Sequence, residues 1–283
     1  MKTFSKRPGS NEIGRHVVCA VCGSDCPRAH WQCDGFSFVR CCSCGHVYQD
    51  PQPESNNLLE RYDEEYAAYE VENAENFLDL MLRGLNDVSF FERMSDLGIE
   101  RSLLDIGCAT GALLEYAAGR GYEVQGVEVC EPAARYGTEH RGVPIAVGTL
   151  DEVDVRGRRF GAAHFSHVIE HVPDPRGFIR SVRELLVPGG LMVLVTPSTS
   201  GLQAKLFGAD WRSAIADHVH LFNKRNLRRV LRDEGFRVLA TKTWGGLGVG
   251  TAPRWLKRPV DALAKRFGFG DVVLVLARSA VST

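Results

Sequence analysis

The sequence predicts an α/β protein: a mostly parallel sheet with helices on both faces, preceded by a small cysteine-rich segment. Three observations carry this. After Arg101 short apolar runs alternate with helix-patterned runs, glycines stand where the first strand meets its helix, and seven of the nine cysteines lie between Cys19 and Cys44. Strand and helix periods in alternation mark βαβ units, whose parallel strands are covered on both faces. A chain of 283 residues has room for one large domain and a small one.

The elements follow in order. Residues 1–16 are polar, are expected to be flexible and hold no apolar signal core; no apolar run approaches the roughly 20 residues that span a bilayer. The reading is therefore cytoplasmic. Residues 17–50 form the cysteine-rich segment, with short strand-like runs such as FSFVRC. Residues 51–99 turn helical and predict two helices leading into the main domain, one carrying Leu58, Leu59, Tyr62, Tyr66 and Tyr69, the next Phe77, Leu78, Met81, Leu82 and Leu85. Residues 100–283 make the main domain: SLLDIG then GALLEYAAGR, YEVQGVEV then EPAARYG, PIAV, GAAHFSHVI, PRGFIRSVRELL then GGLMVLVTP. A helix at 226–234, a strand at 236–243, an amphipathic stretch at 253–267 and a last strand DVVLVLAR complete it.

Composition is that of an ordinary globular protein, 44% apolar and 24% charged. The net charge of −1 conceals an uneven spread: residues 50–100 hold fourteen Asp and Glu against three Arg, while from Lys205 onward fifteen Lys and Arg face six acids. A nucleic-acid enzyme usually shows a broader basic excess, so solvated helix faces of opposite sign are the expected reading. The stretch APRWLKRPVDALAKRFG sets Trp255, Leu256, Leu263 and Phe267 beside Lys257, Arg258, Lys265 and Arg266. It is expected to form a short helix from near Pro259 that packs between the last two strands and walls a ligand pocket; contact with an anionic membrane surface is the second reading.

Clustered cysteines in an intracellular chain point to metal. Cys19-x-x-Cys22 is followed after 18 residues by Cys41-x-x-Cys44, the spacing of a four-thiolate zinc ribbon, and each pair ends in Cys-Gly. Four protein ligands leave no open position, so such a zinc is structural. Cys42 in place of Cys41, competition from Cys26 or Cys33, and unmetallated thiols are the alternatives.

LLDIGCATG lies at the first strand-to-helix turn, where Gly107 and Gly111 allow a tight turn and close approach of a ligand. Asp105 stands two residues before the first Gly, and Glu128 ends the second strand, 17 residues after Gly111. An acid at that tip can accept from both ribose hydroxyls of a nucleoside. A dinucleotide's pyrophosphate would also suit the helix N-terminus, which makes an NAD enzyme the competing reading.

VIEHVPDP at 168–175, LLVPGGLMVLVTP at 185–197 and HLFNKRNLRRVLRDEGFRV at 220–238 resemble the signatures of the class I S-adenosylmethionine-dependent methyltransferases, over residues 100–278. The resemblance implies a Rossmann-like seven-stranded sheet with the last strand antiparallel, and S-adenosyl-L-methionine as cofactor. It assigns Asp105, Gly107 and Gly111, with Cys108 between them, to the methionine side, Glu128 with Val129 to the ribose, and Thr149 with Leu150 to the adenine. Ala109 departs from the family's middle Gly, and Thr149 stands where an Asp is common.

Methyl transfer to a hydroxyl needs alignment and a base. His167 lies just past the fourth strand, at the sheet edge where α/β proteins bind ligands, and is the first choice for base or acceptor-positioning group. His171 is assigned a structural role by the resemblance, and His218 and His220 of ADHVHLF are further catalytic candidates. Tyr62, Tyr66 and Tyr69 read equally as a lid over the donor or as a packed stripe. No catalytic metal is indicated.

The ribbon with CGHVYQDPQP resembles the front end of bacterial methyltransferases acting on nucleotide-linked sugars, polysaccharide or natural-product intermediates. The expected function is thus methyl transfer, at oxygen, to a small-molecule or carrier-linked acceptor. The alternatives are a ribosomal-RNA base methyltransferase that grips RNA with its ribbon, and a non-catalytic zinc-ribbon binding module. The near-neutral charge and the few ribbon aromatics, Trp31, Phe36 and Phe38, argue against nucleic acid.

Overall fold

The computed structural model describes residues 14–53, 62–155, 157–246 and 254–280, with the side chains of 254–258 excepted. Most of the polar N-terminus, Leu58, Leu59 and the side chains of Trp255, Leu256, Lys257 and Arg258 therefore lie outside the described residues.

The first part of the chain holds β1 (Pro27–Gln32), β2 (Ser37–Cys41) and β3 (Val47–Gln49), followed by α1 (Glu64–Asp87) and α2 (Phe90–Asp96). The main domain runs β4 (Ser102–Ile106), α3 (Ala112–Ala118), β5 (Glu123–Glu128), α4 (Glu131–Arg141), β6 (Ile145–Val147), β7 (Phe160–Ser166), α5 (Pro175–Glu184) and β8 (Leu186–Pro197). It continues through α6 (Leu202–Phe207), β9 (His220–Leu221), α7 (Lys224–Asp233), β10 (Phe236–Trp244), α8 (Arg254–Phe267) and β11 (Val272–Ser279).

Seven strands form one sheet in the order β10-β11-β8-β7-β4-β5-β6. β8, β7, β4, β5 and β6 pair in parallel, and β11 runs antiparallel to both β8 and β10. This is the Rossmann-like arrangement expected. Its central strands are apolar on both faces, as a covered sheet requires. Leu104 and Ile106 of β4, Met192 and Leu194 of β8, and Val273 and Val275 of β11 join one core with Ile179 of α5 and Leu227, Val230 and Leu231 of α7. The alternate residues Leu103, Leu191, Val193, Leu274 and Leu276 join the other, with Leu85 of α1, Phe90 and Met94 of α2, and Leu113 and Leu114 of α3. Period-two alternation in each strand divides its side chains between the two layers.

The cysteine-rich segment is built into this body. Its antiparallel sheet has the order β1-β2-β3-β9, so the fourth strand comes from the main domain, with Val47 opposite Leu221 and Tyr48 opposite His220. Cys19, Val21, Cys41 and Tyr48 share the core that holds α5 and α7. Three short strands cannot bury a core alone, and this contact supplies one.

Two expectations need adjustment. Tyr66 and Tyr69, expected on one helix, and Phe77 to Leu85, expected on the next, lie on the single long helix α1, with the short α2 after it; α1 is capped by Asp63, whose carboxylate accepts from the amides of Glu65 and Tyr66 at 3.1 Å. α8 begins at Arg254, so Pro259 falls inside the helix and costs it a hydrogen bond. That helix packs on β10 by its Ala264 side, where the Thr243 hydroxyl donates to the Ala264 carbonyl at 3.1 Å. Lys265 pairs with Asp87 at the end of α1 at 2.6 Å, while Leu263 and Phe267 are 48% and 66% exposed, so their part of the expected apolar face is not packed. Among the described residues no helix is long and apolar enough to cross a membrane.

Candidate functional site

The loop from β4 to α3 is set by its backbone. Gly107, Ala109 and Gly111 all adopt left-handed conformations, with φ of 68°, 47° and 71°. Glycine takes this region freely; for Ala109 it costs about 1–2 kcal/mol. Glu128 at the tip of β5 holds the alanine there: its Oε2 accepts from the Ala109 amide and its Oε1 from the Cys130 amide, both at 2.8 Å. Burial pushes the Glu128 carboxyl up, against the pull of the amides of Cys130, Ala109 and Val129. The loop is pressed on both sides. A Cβ on Gly107 would lie 2.6 Å from Val168 Cγ2, and one on Gly137 of α4 would lie 2.9 Å from the Thr110 carbonyl oxygen.

The other expected donor-side residues lie close by in the sheet. Asp105 is buried, and its Oδ1 meets His164 Nδ1 at 2.7 Å across the β4–β7 pair. Cys108 and Leu150 are buried and Val129 is half-buried. The Thr149 amide and hydroxyl both donate to Glu152 Oε2, at 3.0 and 2.8 Å. Asp105–Gly111, Glu128–Val129 and Thr149–Leu150 thus sit at or just beyond the carboxyl ends of β4, β5 and β6, adjacent strands of one edge, where open α/β sheets bind ligands.

His167 follows β7 on the same edge. It too is left-handed, with φ of 57°, a strained state for a residue with a side chain. Its side chain is half exposed, and Nδ1 donates to Glu170 Oε1 at 3.0 Å. Glu170 is fully buried, and its Oε2 accepts from the Thr196 hydroxyl of β8 at 2.8 Å. Burial alone would raise this carboxyl; the hydrogen bond from His167 and the charges of His167, His171 and His218 outweigh it and hold it at about 2. Donation from Nδ1 leaves the His167 lone pair on Nε2.

The remaining histidines separate by position. His171 and His218 donate from Nδ1 to the carbonyls of Asp217 and Ser213, both at 2.8 Å, and their rings meet at 4.7 Å. One ring nitrogen of each and a Glu170 oxygen lie within 4.8 Å of one another. His220 is buried in β9, bonded to His46 of the ribbon and to the Pro173 carbonyl, each at 3.2 Å. Burial pushes its imidazole down to about 4. Its ring therefore bridges ribbon and main domain.

The start of α1 and the residue before its cap pack beside the site. Tyr62, Tyr66 and Ala67 pack on Cys130 and Ala133, directly after Glu128. Tyr69 instead meets Phe77, about two turns further along α1, with ring centroids 5.9 Å apart. Glu70, which no motif singles out in an acidic helix, is the carboxyl that burial pushes up to about 7; it accepts from Tyr66 and feels the charges of Glu128 and His167. Its proximity to both is a product of the fold.

In the ribbon, Cys19 Sγ lies 3.5 Å from Cys44 Sγ and Cys22 Sγ 3.6 Å from Cys41 Sγ, with all four within 4.8 Å. A tetrahedron with zinc–sulfur bonds of about 2.3 Å has sulfurs about 3.8 Å apart, so the four thiols fit zinc. Gly23 and Gly45 take φ of 73° and 72°, as turns over the sulfurs require. Cys26 and Cys42 are joined in a disulfide, and the Cys33 thiol points to the Ala209 carbonyl. In the structure the cluster is thus made by Cys19, Cys22, Cys41 and Cys44, with Cys26, Cys33 and Cys42 outside it.

Residues 72–241 match the family model described as a methyltransferase domain. The chain belongs to the class I S-adenosylmethionine-dependent methyltransferases. Within this family it is 37% identical over 116 residues to a ubiquinone biosynthesis O-methyltransferase of Cereibacter sphaeroides, covering 38% of this chain and 47% of that protein. The Ruegeria pomeroyi protein of the same name is 39% identical over 111 residues, 36% of this chain and 45% of that one. The chain thus matches about half the length of these curated relatives. In fold it is similar to an S-adenosylmethionine-dependent methyltransferase of Archaeoglobus fulgidus, with TM-score 0.53, 17% identity, and coverage of 76% of this chain and 99% of that one. A Clostridium acetobutylicum methyltransferase aligns with TM-score 0.52 at 11% identity, over 74% and 99% of the two chains. For a methyltransferase donor site the chemistry of the residues present is suitable: a buried carboxylate at the β5 tip beside a backbone loop whose glycines clear space.

Proposed function

We propose that this methyltransferase moves a methyl group from S-adenosylmethionine to a hydroxyl of a small-molecule or carrier-linked acceptor, with His167 as the base. When bound, S-adenosylmethionine supplies a methyl already activated on a sulfonium, so the protein's work is alignment and removal of one proton. Asp105, Gly107, Cys108 and Gly111 shape the methionine side. Glu128, with Val129, receives the ribose hydroxyls on lone pairs that its two amide bonds leave over, and Thr149 with Leu150 flanks the adenine. Tyr62, just before α1, and Tyr66 within it exclude water. Zinc on Cys19, Cys22, Cys41 and Cys44 closes the ribbon and takes no part in the chemistry.

The observation that carries the reading is the His167–Glu170–Thr196 chain. A strained, half-exposed imidazole at the ligand edge of the sheet is oriented by a buried carboxylate, itself anchored by a hydroxyl; the carboxylate fixes the tautomer with Nε2 as acceptor and stabilises the imidazolium after proton transfer. The relatives that are O-methyltransferases by name support oxygen as the target. His218 is a positioning candidate beside Glu170, whereas the buried His220 is left a structural part.

The test is methyl transfer from labelled donor to a panel of hydroxyl-bearing acceptors, with mass spectrometry of the products. His167→Gln is expected to lower kcat by about 10²–10⁴ while donor binding persists. Full turnover by His167→Gln, or methylation of nitrogen or carbon only, would overturn the proposal.

A further inference from the structure

Away from the donor site, positive charge gathers on α7. A groove of about 900 Å3 is lined by Lys224, Arg225, Arg228, Arg229, Arg232 and Arg237, and no carboxylate lines it. One wall is the ribbon at Ser43 and Cys44. Asn226 fastens that wall to α7: with its amide oriented to suit both neighbours, it donates to the Cys44 carbonyl at 3.3 Å and accepts from the His46 amide at 3.1 Å.

Several cations here, two of the groove's own among them, have carboxylate partners. Arg176 and Arg180 of α5 close on Glu234 at 2.7 and 3.1 Å, and Arg229 and Arg232 share Asp233 at the far end of α7. Toward the start of α7 the partners are neutral: Lys224 donates to the Gly268 carbonyl, and Arg228 to the Thr241 hydroxyl at 3.3 Å. Arg225, Arg228 and Arg237 are exposed. Burial, then the charges of Arg228 and Lys205, hold the Lys224 ammonium below its usual range. The groove also touches Ser200, three residues beyond the end of β8 and on the sheet edge that carries the candidate site.

Arginine forks match phosphate oxygens in pairs, and a groove of this volume is of small-ligand size. Its one aromatic ring, Phe236, is buried, so it offers no stacking platform of the kind single-stranded nucleic acid uses. α7 is ten residues long, about 15 Å, enough to hold a diphosphate at one place while the attached group reaches toward β8. We propose that this groove binds the diphosphate of the acceptor's carrier, with Arg225, Arg228 and Arg237 as its main contacts. The inference rests on the methyl-transfer reading above for the word acceptor, not for the site. Nucleoside and isoprenoid diphosphates share this chemistry, and the choice between them is read from the same experiment.

The experiment is calorimetry on the full chain with inorganic pyrophosphate, inorganic phosphate, uridine diphosphate, geranyl diphosphate, uridine and a short oligouridylate. Pyrophosphate and at least one organic diphosphate are expected to bind, uridine is expected not to, and affinity should fall as potassium chloride is raised. Arg225→Gln with Arg228→Gln, and separately Arg237→Gln on β10, should each weaken pyrophosphate at least tenfold without changing affinity for S-adenosylmethionine. Uridine diphosphate binding tighter than geranyl diphosphate identifies a nucleotide carrier, and the reverse order an isoprenoid one. No heat with pyrophosphate, pyrophosphate affinity untouched by both variants, or oligouridylate binding tighter than every diphosphate would overturn the proposal. Because binding is read without turnover, such a failure leaves the methyl-transfer reading standing.

Discussion

Replacing Glu128 by Gln tests the proposal that one carboxylate serves both loop and donor. The side chain is 3% exposed and accepts two backbone amides at 2.8 Å, one from Ala109 and one from Cys130. An amide of the same shape keeps one oxygen and turns an N–H toward the other N–H. A hydrogen bond to a charged acceptor contributes about 1.5–3 kcal/mol, and an unsatisfied buried donor costs about 1–3 kcal/mol. Relief of the desolvation that pushes this carboxyl up offsets part of the loss. The expected net destabilisation is about 1–2 kcal/mol, read by urea denaturation. Donor affinity should fall further, by about 10–100-fold, because the ribose loses an acceptor and Ala109 is no longer held at its left-handed φ. Calorimetric titration with S-adenosylmethionine measures this. Affinity within twofold of the parent for Glu128→Gln, or NADH bound in preference to S-adenosylmethionine, would refute the reasoning.

Ala109→Gly should stabilise the protein by up to about 1 kcal/mol, because the relief of a left-handed alanine exceeds the entropy a glycine adds to the unfolded chain; a lower urea midpoint would contradict this. Glu70 carries a pH dependence. Its folded carboxyl sits at about 7 against an ordinary 4.5, so its contribution is fully present below pH 4.5 and is lost as pH rises through 7. Glu70→Gln should therefore flatten the fall in stability between pH 5 and pH 8, by about 1–3 kcal/mol, in paired urea titrations. Elemental analysis should find one zinc per chain, and Cys44→Ser or chelation should loosen the ribbon and, through Asn226 and β9, protect α7 less in hydrogen exchange. Unchanged protection in α7 after metal removal would separate the two parts.

Much of the molecule is legible in local pattern. LLDIGCATG and Glu128 stand at places where short-range geometry decides the outcome: a strand end, a tight turn, the next strand tip. The Cys19-Cys22 and Cys41-Cys44 pairs are likewise legible, since two-residue spacing with a following Gly builds the turn that directs both sulfurs. Ala109 was readable as a departure from the glycine pattern, but the force that holds it was not, because the Glu128 bond to its amide spans 19 positions of the chain.

By itself, then, the sequence determined the alternating α/β sheet, the glycine turn between β4 and α3 and the four-cysteine cluster, all of which follow from periodicity or from contacts within one turn. Only the tertiary structure decided the rest. It drew β9 into the ribbon sheet, which took His220 into a buried bridge with His46, and it carried Glu70 of α1 to within the field of Glu128 and His167. It also tied His167 through Glu170 to Thr196 on a neighbouring strand, and set the cations of α7 and β10 around a groove walled by the ribbon. These pairings join residues tens to nearly two hundred positions apart. No local rule encodes them, because the closure of such long loops is rewarded only when the whole core packs.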